Sequence, residues 1–325
     1  MISRRNIRVK VMQTIYAVET QDIPLPADPS TLTEPAPLTP EQLSDLAEKL
    51  LLKHFEQTRH LLVYMIHILT QVALFAETYA RQKASKHLPT AEDLTISTKI
   101  AGNELIEKIL QLPAWKEALR TVKPELITEN EITRKLFLEL KDKESYQNYI
   151  ATPARIYAEE KNIIDHLLKE VLLTHEWFLT HLSELFPNWD DDADMILLLI
   201  TNFLQKLNGY DFSELISKEK KQFGILLLKT ALEKKEVTLD HIRPRLKNWD
   251  PERIATLDMI LMRMGVCEFL FFETIPPKVT INEYIDIAKE YSTPQSGHFV
   301  NGILDNIHKD LVKENKMHKI AYKQG

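Results

Sequence analysis

Four cations open the chain before any acid appears: Arg4, Arg5, Arg8 and Lys10 all precede Glu19, the first carboxylate. On a helix begun by Ser3, Arg4 and Arg5 fall in the first turn. Positive charge there opposes the helix dipole by roughly 0.3–1 kcal/mol per exposed group. Folding alone would favour acids at that end. An anionic ligand supplies a reason for the arrangement, because phosphates would meet both the side chains and the free N–H groups of the first turn. The competing explanation is a solvated charged end that binds nothing.

A second set with chemical potential is Asp190-Asp191-Asp192-Ala193-Asp194, which has the spacing D-D-x-x-D. One helical turn brings Asp190 or Asp191 onto the same face as Asp194. In all-helical prenyl-diphosphate enzymes such carboxylates hold Mg²⁺ against a diphosphate. No second aspartate-rich ligand set accompanies them, and acids suit a first helical turn on dipole grounds alone, so this is a remote alternative. His166, His175 and His181 are spaced by nine and six residues and share no helical face. No nucleophile, base and orienting group can be read in sequence order. The expectation is therefore no catalytic residue, no metal and no cofactor.

The elements that carry these residues follow from composition and periodicity. The chain has 325 residues, which suggests about two packed units. Only 7 glycines argue against a Gly-looped nucleotide enzyme. The single cysteine, Cys267, rules out a disulfide framework and a Cys-ligated zinc site. That cysteine usage fits a reducing, cytoplasmic compartment. Apolar positions recur three and four apart through most of the chain, which predicts an all-α fold. Residues 3–20 form a first helix with Ile7, Val11, Ile15 and Val18 on one stripe. Residues 21–40 hold six of the 16 prolines and read as a linker. Thr39-Pro40-Glu41-Gln42 restarts a helix with a hydroxyl cap, Pro first and Gln third, and a long helix or helix pair runs on to about Lys86. The apolar stretches near 61–76 and 195–204 contain polar residues and fall short of the ~20 that a membrane span needs. No signal peptide is read at the N-terminus. Leu167–Asp190 and Leu227–Asp250 align at an offset of 60, either as a degenerate repeat or as two similar helix pairs.

The most specific text lies between Asn248 and Ile307. Trp249-Asp250-Pro251 reads as a capped helix start, and the helix that follows places Ile254, Leu257, Leu261 and Met264 on one face. Then come VTINEYIDIAK (279–289), the polar loop EYSTPQSG (290–297) and HFVNGILD (298–305). These segments resemble the NusB family of bacterial transcription antitermination factors, whose members carry V-A-I-N-E-A-(I/V)-E-L-A-K, a short polar loop and K-F-V-N-G-(V/I)-L-D. Met262 to Glu268 and Ile275-Pro276 are similar to the family's L-R-x-A-x-(Y)-E-(L) helix and its following I-P. Arg4, Arg5, Arg8 and Ile15-Tyr16-Ala17 are similar to its Arg-rich first helix.

The resemblance implies a bundle of two small helical subdomains. Residues 1–20 would be its first helix, basic and RNA-facing, and 218–315 its remainder. Residues 21–217 would be a helical insertion of unknown role, and 316–325 a basic tail. It further implies a factor that is not an enzyme. Such a factor binds boxA-like single-stranded RNA and the ribosomal protein NusE, within an RNA polymerase elongation complex on ribosomal RNA operons, and touches no membrane. The RNA candidates are Arg4, Arg5, Arg8 and Lys10 for the backbone, Tyr16 and Phe299 for base stacking, and Gln295, Ser296 and His298 for base edges. Tyr16 and Phe299 read equally as core residues, and His298 stands where the family commonly has Lys. Asp258 and Glu283 map to the family's acidic docking surface for NusE, although Thr280-x-x-Glu283 also has capping-box spacing. Arg263 and Glu268 read as structural, and Gly302 as a close-packing glycine. Two rivals remain. One is a helical protein–protein adaptor without RNA binding. The other is fusion to an RNA methyltransferase, which would need a G-x-G loop that the chain lacks.

Overall fold

The structure, a computed structural model, describes residues 2–20, 39–246 and 254–320. The expected proline-rich linker and the Trp249-Asp250-Pro251 helix start lie outside the described residues. Every regular element among those described is helical. In chain order they are α1 (Arg4–Thr20), α2 (Pro40–Ala84), α3 (Ala91–Leu94), α4 (Glu104–Gln111), α5 (Pro113–Val122), α6 (Asn130–Asp142), α7 (Glu144–Ala151) and α8 (Tyr157–His166). A π-helical stretch, Leu167–Leu172, continues α8. Then follow α9 (Glu176–Leu185), α10 (Trp189–Gln205), α11 (Lys218–Glu233), α12 (Lys235–Ile242), α13 (Thr256–Phe271), α14 (Pro277–Tyr291) and α15 (Ser296–Lys313).

The helix starts obey their local chemistry. Ser3 Oγ accepts the Asn6 N–H at 3.1 Å and caps α1, and Ile7, Val11, Ile15 and Val18 are all buried. At α2 the capping box is reciprocal: Gln42 N–H donates to Thr39 Oγ1 at 3.3 Å, and Thr39 N–H donates to Gln42 Oε1 at 3.0 Å. An 18-residue window of α2 has mean hydropathy 1.6, enough by length and composition to cross a membrane, but 72 % of that window is buried inside the protein. Its burial makes it a core helix.

The chain divides into two compact units. One comprises Phe55–Leu215. Its apolar interior is lined by the middle of α2, from Leu61 to Ala76, and by residues such as Trp115, Phe137 and Phe203. A buried polar knot ties three of its helices. Glu160 on α8 accepts the Tyr149 hydroxyl of α7 at 2.8 Å and the Glu104 N–H of α4 at 2.8 Å, while Asn103 caps α4 and donates to the Glu160 carbonyl at 2.8 Å. The first half of the suspected repeat lies in this unit, where Leu167–Leu172 is π-helical. Its counterpart, Leu227–Leu232, is ordinary α-helix within α11.

The other unit comprises Ile2–His54 with Ile216–Gly325. The first stretch of α2, up to His54, therefore packs with α1 and the C-terminal helices. Thr14 Oγ1 meets His54 Nδ1 at 3.1 Å, and Lys229 pairs with Glu48 at 2.7 Å. At its centre is α13, which contacts α1, α11, α12, α14 and α15. Surrounded on all sides, α13 is buried at every position from Ile260 to Phe269, which is why its sequence lacks a polar face. The close-packing glycine is Gly265, not Gly302. A Cβ on Gly265 would lie 2.8 and 2.9 Å from the Leu304 methyls, whereas Gly302 faces open space. The basic tail is also tied down in part. Asn315, at φ 52°, closes α15 with a Lys316 N–H to Leu311 carbonyl bond of 2.9 Å, and Lys319 Nζ then caps α13 at the Glu268 and Phe272 carbonyls, at 2.6 and 2.7 Å.

Gly265→Ala is expected to cost about 1–3 kcal/mol of unit stability through overpacking against Leu304, offset in part by the roughly 1 kcal/mol helix preference of Ala. The urea midpoint measures it. Cys267, buried on the same helix with its thiol pushed up by burial to about 12, gives an independent readout. Thiol labelling should be slow in the wild type and faster in the variant.

Candidate nucleic-acid interface

Only two of the four leading cations reach the surface. Arg4 and Arg5 leave the first turn of α1 with side chains 40 % and 39 % exposed. Arg4 pairs with Glu219 of α11 at 2.5 Å, and Arg5 pairs with Asp286 at 3.3 Å and Glu290 at 3.7 Å on α14. These are exposed pairs, each worth about 0–1 kcal/mol, so an incoming phosphate can replace them at little cost.

Arg8 and Lys10 do not belong to this surface. Arg8 is 2 % exposed, with Nε 2.7 Å and Nη2 3.1 Å from the two Glu268 oxygens of α13. Glu268 also accepts the Thr280 hydroxyl at 2.8 Å and the Tyr284 hydroxyl at 2.9 Å. Burial works against the charge on Arg8, and Glu268 more than offsets it, so the guanidinium is held firmly protonated. Burial likewise pushes the Tyr284 phenol well above its ordinary range. The expectation that Arg8 meets RNA is corrected accordingly: a forked donor facing a buried carboxylate is already fully used by the fold. Lys10 is buried too, and neither it nor Arg8 offers a free cation to a ligand.

Of the two acids expected to dock a partner, Asp258 is withdrawn, while the Glu283 side chain keeps 27 % of its surface exposed. Asp258 is buried and accepts the Ser296 hydroxyl at 2.7 Å, which removes both Asp258 and Ser296 from the surface. Glu283 lies 3.5 Å from Arg8 Nη1 and is the second acid on that guanidinium. It is no capping-box residue, because α14 starts at Pro277 with Pro276 as its cap, which puts Thr280 inside the helix. Arg263, expected to be structural, spans α13 to Glu19 of α1, with Nη1 2.8 Å from each oxygen, and to the Ala231 carbonyl of α11 at 2.7 Å.

Two features stay open to solvent. The first is the N-terminal end of α1 together with that of α11. Ser217 caps α11, and Lys220 Nζ donates to the Ile2 carbonyl at 2.7 Å, which fastens the two helix starts side by side. Lys218 and Lys221 are exposed in the first turn of α11, flanking in sequence the Glu219 and Lys220 that meet α1. Sequence reading missed these lysines. The signal was the S-K-E-K-K run at 217–221, but it gains meaning only when the fold brings it against α1. The second is a cavity of about 460 Å³ at the start of α15, lined by Ile254, Ala255, Asp258, Thr293, Gln295, Ser296, His298 and Phe299. Gln295 and His298 are exposed and Phe299 is half-buried, while Ser296 and Asp258 form its hydrogen-bonded base. Tyr16 is 42 % exposed on α1. Asn301 and Gly302 are exposed as well, without a packing role.

The aspartate run behaves as a helix start. Asp190, Asp191 and Asp192 occupy the first turn of α10, and Asp192 is buried on Thr58 at 2.7 Å and Asn188 at 2.6 Å. Among the described residues no three His, Cys, Asp or Glu side chains converge as a metal site.

The fold and this surface define an all-helical protein with a cationic end built from two helix starts and an aromatic-edged cavity. A model of the NusB family matches residues 188–309, which leaves α1 outside the match. The chain is 44 % identical over 104 residues to the transcription antitermination protein NusB of Methylacidiphilum infernorum, covering 32 % of this chain and 72 % of that protein. It is 43 % identical over 109 residues to the NusB of Salinibacter ruber (34 % and 61 %), and 41 % over 102 residues to that of Desulfatibacillum aliphaticivorans (31 % and 71 %). No solved structure matches the chain. The chain belongs to the NusB family.

Removing Arg8 alone should be worse than removing the whole pair. Arg8→Met leaves Glu268 charged and buried, with an expected loss of about 3–5 kcal/mol. Adding Glu268→Gln should restore part of it, giving a non-additive double-mutant cycle in urea unfolding.

Proposed function

We propose that the chain is a transcription antitermination factor. It binds boxA-like single-stranded RNA through Arg4, Arg5, Lys218 and Lys221, and joins NusE in the RNA polymerase elongation complex on ribosomal RNA operons, in the cytoplasm. The observation that carries this reading is the pairing of two helix N-termini with four outward cations in a NusB-family protein. Helix starts and cations attract the same phosphates. The binding set expected from sequence narrows to Arg4, Arg5, Tyr16, Gln295, His298 and Phe299, and gains the two lysines. Tyr16 and Phe299 offer rings for stacking, and Gln295 and His298 offer hydrogen bonds to base edges. His298 brings an imidazole that can donate or accept, in place of a lysine's fixed charge. On this reading the protein works by binding alone, and the helices between α1 and the family match, which begins at residue 188, are an insertion into the family fold.

A second reading has support in the acids around the cations. Glu219, Asp286 and Glu290 offset much of the charge on Arg4 and Arg5, which suits a protein adaptor without RNA.

Fluorescence anisotropy with a short single-stranded RNA carrying boxA, over a salt series, separates the two. The wild type should bind with a negative log–log salt slope. Arg4→Ala/Arg5→Ala and Lys218→Ala/Lys221→Ala should each weaken binding about tenfold or more and flatten the slope by about 0.7 for each phosphate no longer neutralised. Unchanged RNA affinity in folded variants, with NusE binding retained, would leave the adaptor reading standing.

A further inference from the structure

Arg5 is held by two acids on one face of α14. Its Nη1 lies 3.3 Å from Asp286 and its Nη2 3.7 Å from Glu290. Four residues separate these acids, so they stand one above the other on the helix. Glu283, three residues before Asp286, continues the same face inward to Arg8, 3.5 Å from its Nη1. That face of α14 is an acidic ladder laid along the cations of α1. The inner rung meets a guanidinium that is 2 % exposed, and the two outer rungs meet one that is 39 % exposed.

Folding does not require the outer rungs. An exposed guanidinium is satisfied by water, and pairs this exposed are worth about 0–1 kcal/mol each. Asp286 and Glu290 repel each other across one turn. Glu290 also stands in the last turn of α14, which ends at Tyr291, where negative charge opposes the helix dipole. Arg5, in the first turn of α1, is misplaced in the same sense. Each helix carries a charge unfavourable to itself, and the two compensate across the contact. Arg4 repeats the arrangement against Glu219 of α11.

A carboxylate offers a guanidinium what a phosphate offers, anionic oxygen that accepts its N–H groups. RNA that reaches Arg5 has to take the place of Asp286 and Glu290. Each displaced acid then recruits a cation from solution, which returns part of the gain from counterion release.

We infer that Asp286 and Glu290 are a built-in competitor for the RNA backbone, a carboxylate pair that occupies Arg5 in the free protein and limits how tightly a polyanion binds. RNA as the ligand is taken from the antitermination reading, whereas the competition concerns any polyanion that needs Arg5. The acids that favour a protein adaptor become, on this account, regulators of the RNA site.

Asp286→Asn/Glu290→Gln in the full chain, measured by anisotropy with boxA RNA and by the salt needed for elution from heparin, tests it. The variant should bind RNA about three- to tenfold more tightly at low salt. Its log–log salt slope should be steeper by up to about 0.7 for each acid removed, and it should leave heparin at higher salt than the wild type. On an Arg5→Ala background the same two substitutions should change RNA affinity and heparin elution little, within about twofold in affinity, because the cation for which the acids compete is gone. A gain that persists without Arg5 means that the acids act only through the general field of the protein, and overturns the inference. Unchanged or weaker binding in the folded Asp286→Asn/Glu290→Gln variant overturns it too, and makes the two acids structural braces of α1. A heparin shift that disappears with Arg5, in a protein that binds no boxA RNA, upholds the competition and removes the antitermination reading. BoxA binding that the two substitutions leave unchanged does the reverse.

Discussion

The bond between Arg8 and Glu268 joins residues 260 apart in sequence and is closed off from water on both sides. Much of the unit that holds it follows from that closure. Once Glu268 is buried on α13 it must be satisfied, and the donors come from three places: the guanidinium of α1, the Thr280 hydroxyl and the Tyr284 hydroxyl of α14. Breaking any one leaves a charge without full compensation in a medium that does not screen it. A purely apolar interface would let α1 slide or rotate on α13. The fork of Arg8 does not, because its two N–H directions fix register as well as distance.

Two further polar residues of α13 extend the same logic. Arg263 reaches Glu19 at the far end of α1, so that helix is held near both ends, and Asp258 holds Ser296 at the start of α15. Positions 258, 263 and 268 step round the helix and point to different neighbours, which is how one helix without a polar face still specifies its packing partners. Functional consequences follow from the same bonds. Because Arg8 is committed to Glu268, the outward cations of α1 are limited to Arg4 and Arg5. Because Asp258 is committed to Ser296, the cavity at α15 has a fixed base with Gln295, His298 and Phe299 round it.

Local signals in the sequence are read correctly where the chemistry is also local. The Ser3 cap, the Thr39–Gln42 box and the apolar stripe of α1 each need only a few residues, and each is present as expected. The same kind of signal misleads where a distant partner competes for it. Thr280 and Glu283 have the spacing of a cap, yet Pro276 and Pro277 start the helix earlier and free Thr280 to serve Glu268. Gly302 and Gly265 are indistinguishable as helical glycines. Only the position of Leu304 shows which one a methyl group would block. The cationic run at the N-terminus has the right composition for a phosphate surface, but its division into an inward pair and an outward pair depends on which face α13 covers. Nothing within residues 4–10 states that, and nothing within 217–221 states that the start of α11 will be fastened to the start of α1.

The unit Phe55–Leu215 raises the opposite question, since the family match covers little of it. Its interior follows the same rule as the other unit, with one buried carboxylate satisfied from several helices. Glu160 takes bonds from α4, α7 and the Arg155 guanidinium, at 2.8, 2.8 and 3.1 Å. A chain segment that was merely tolerated as an insertion would have no reason to bury and fully satisfy a carboxylate, because an exposed one costs nothing. A satisfied internal network specifies one arrangement of its helices.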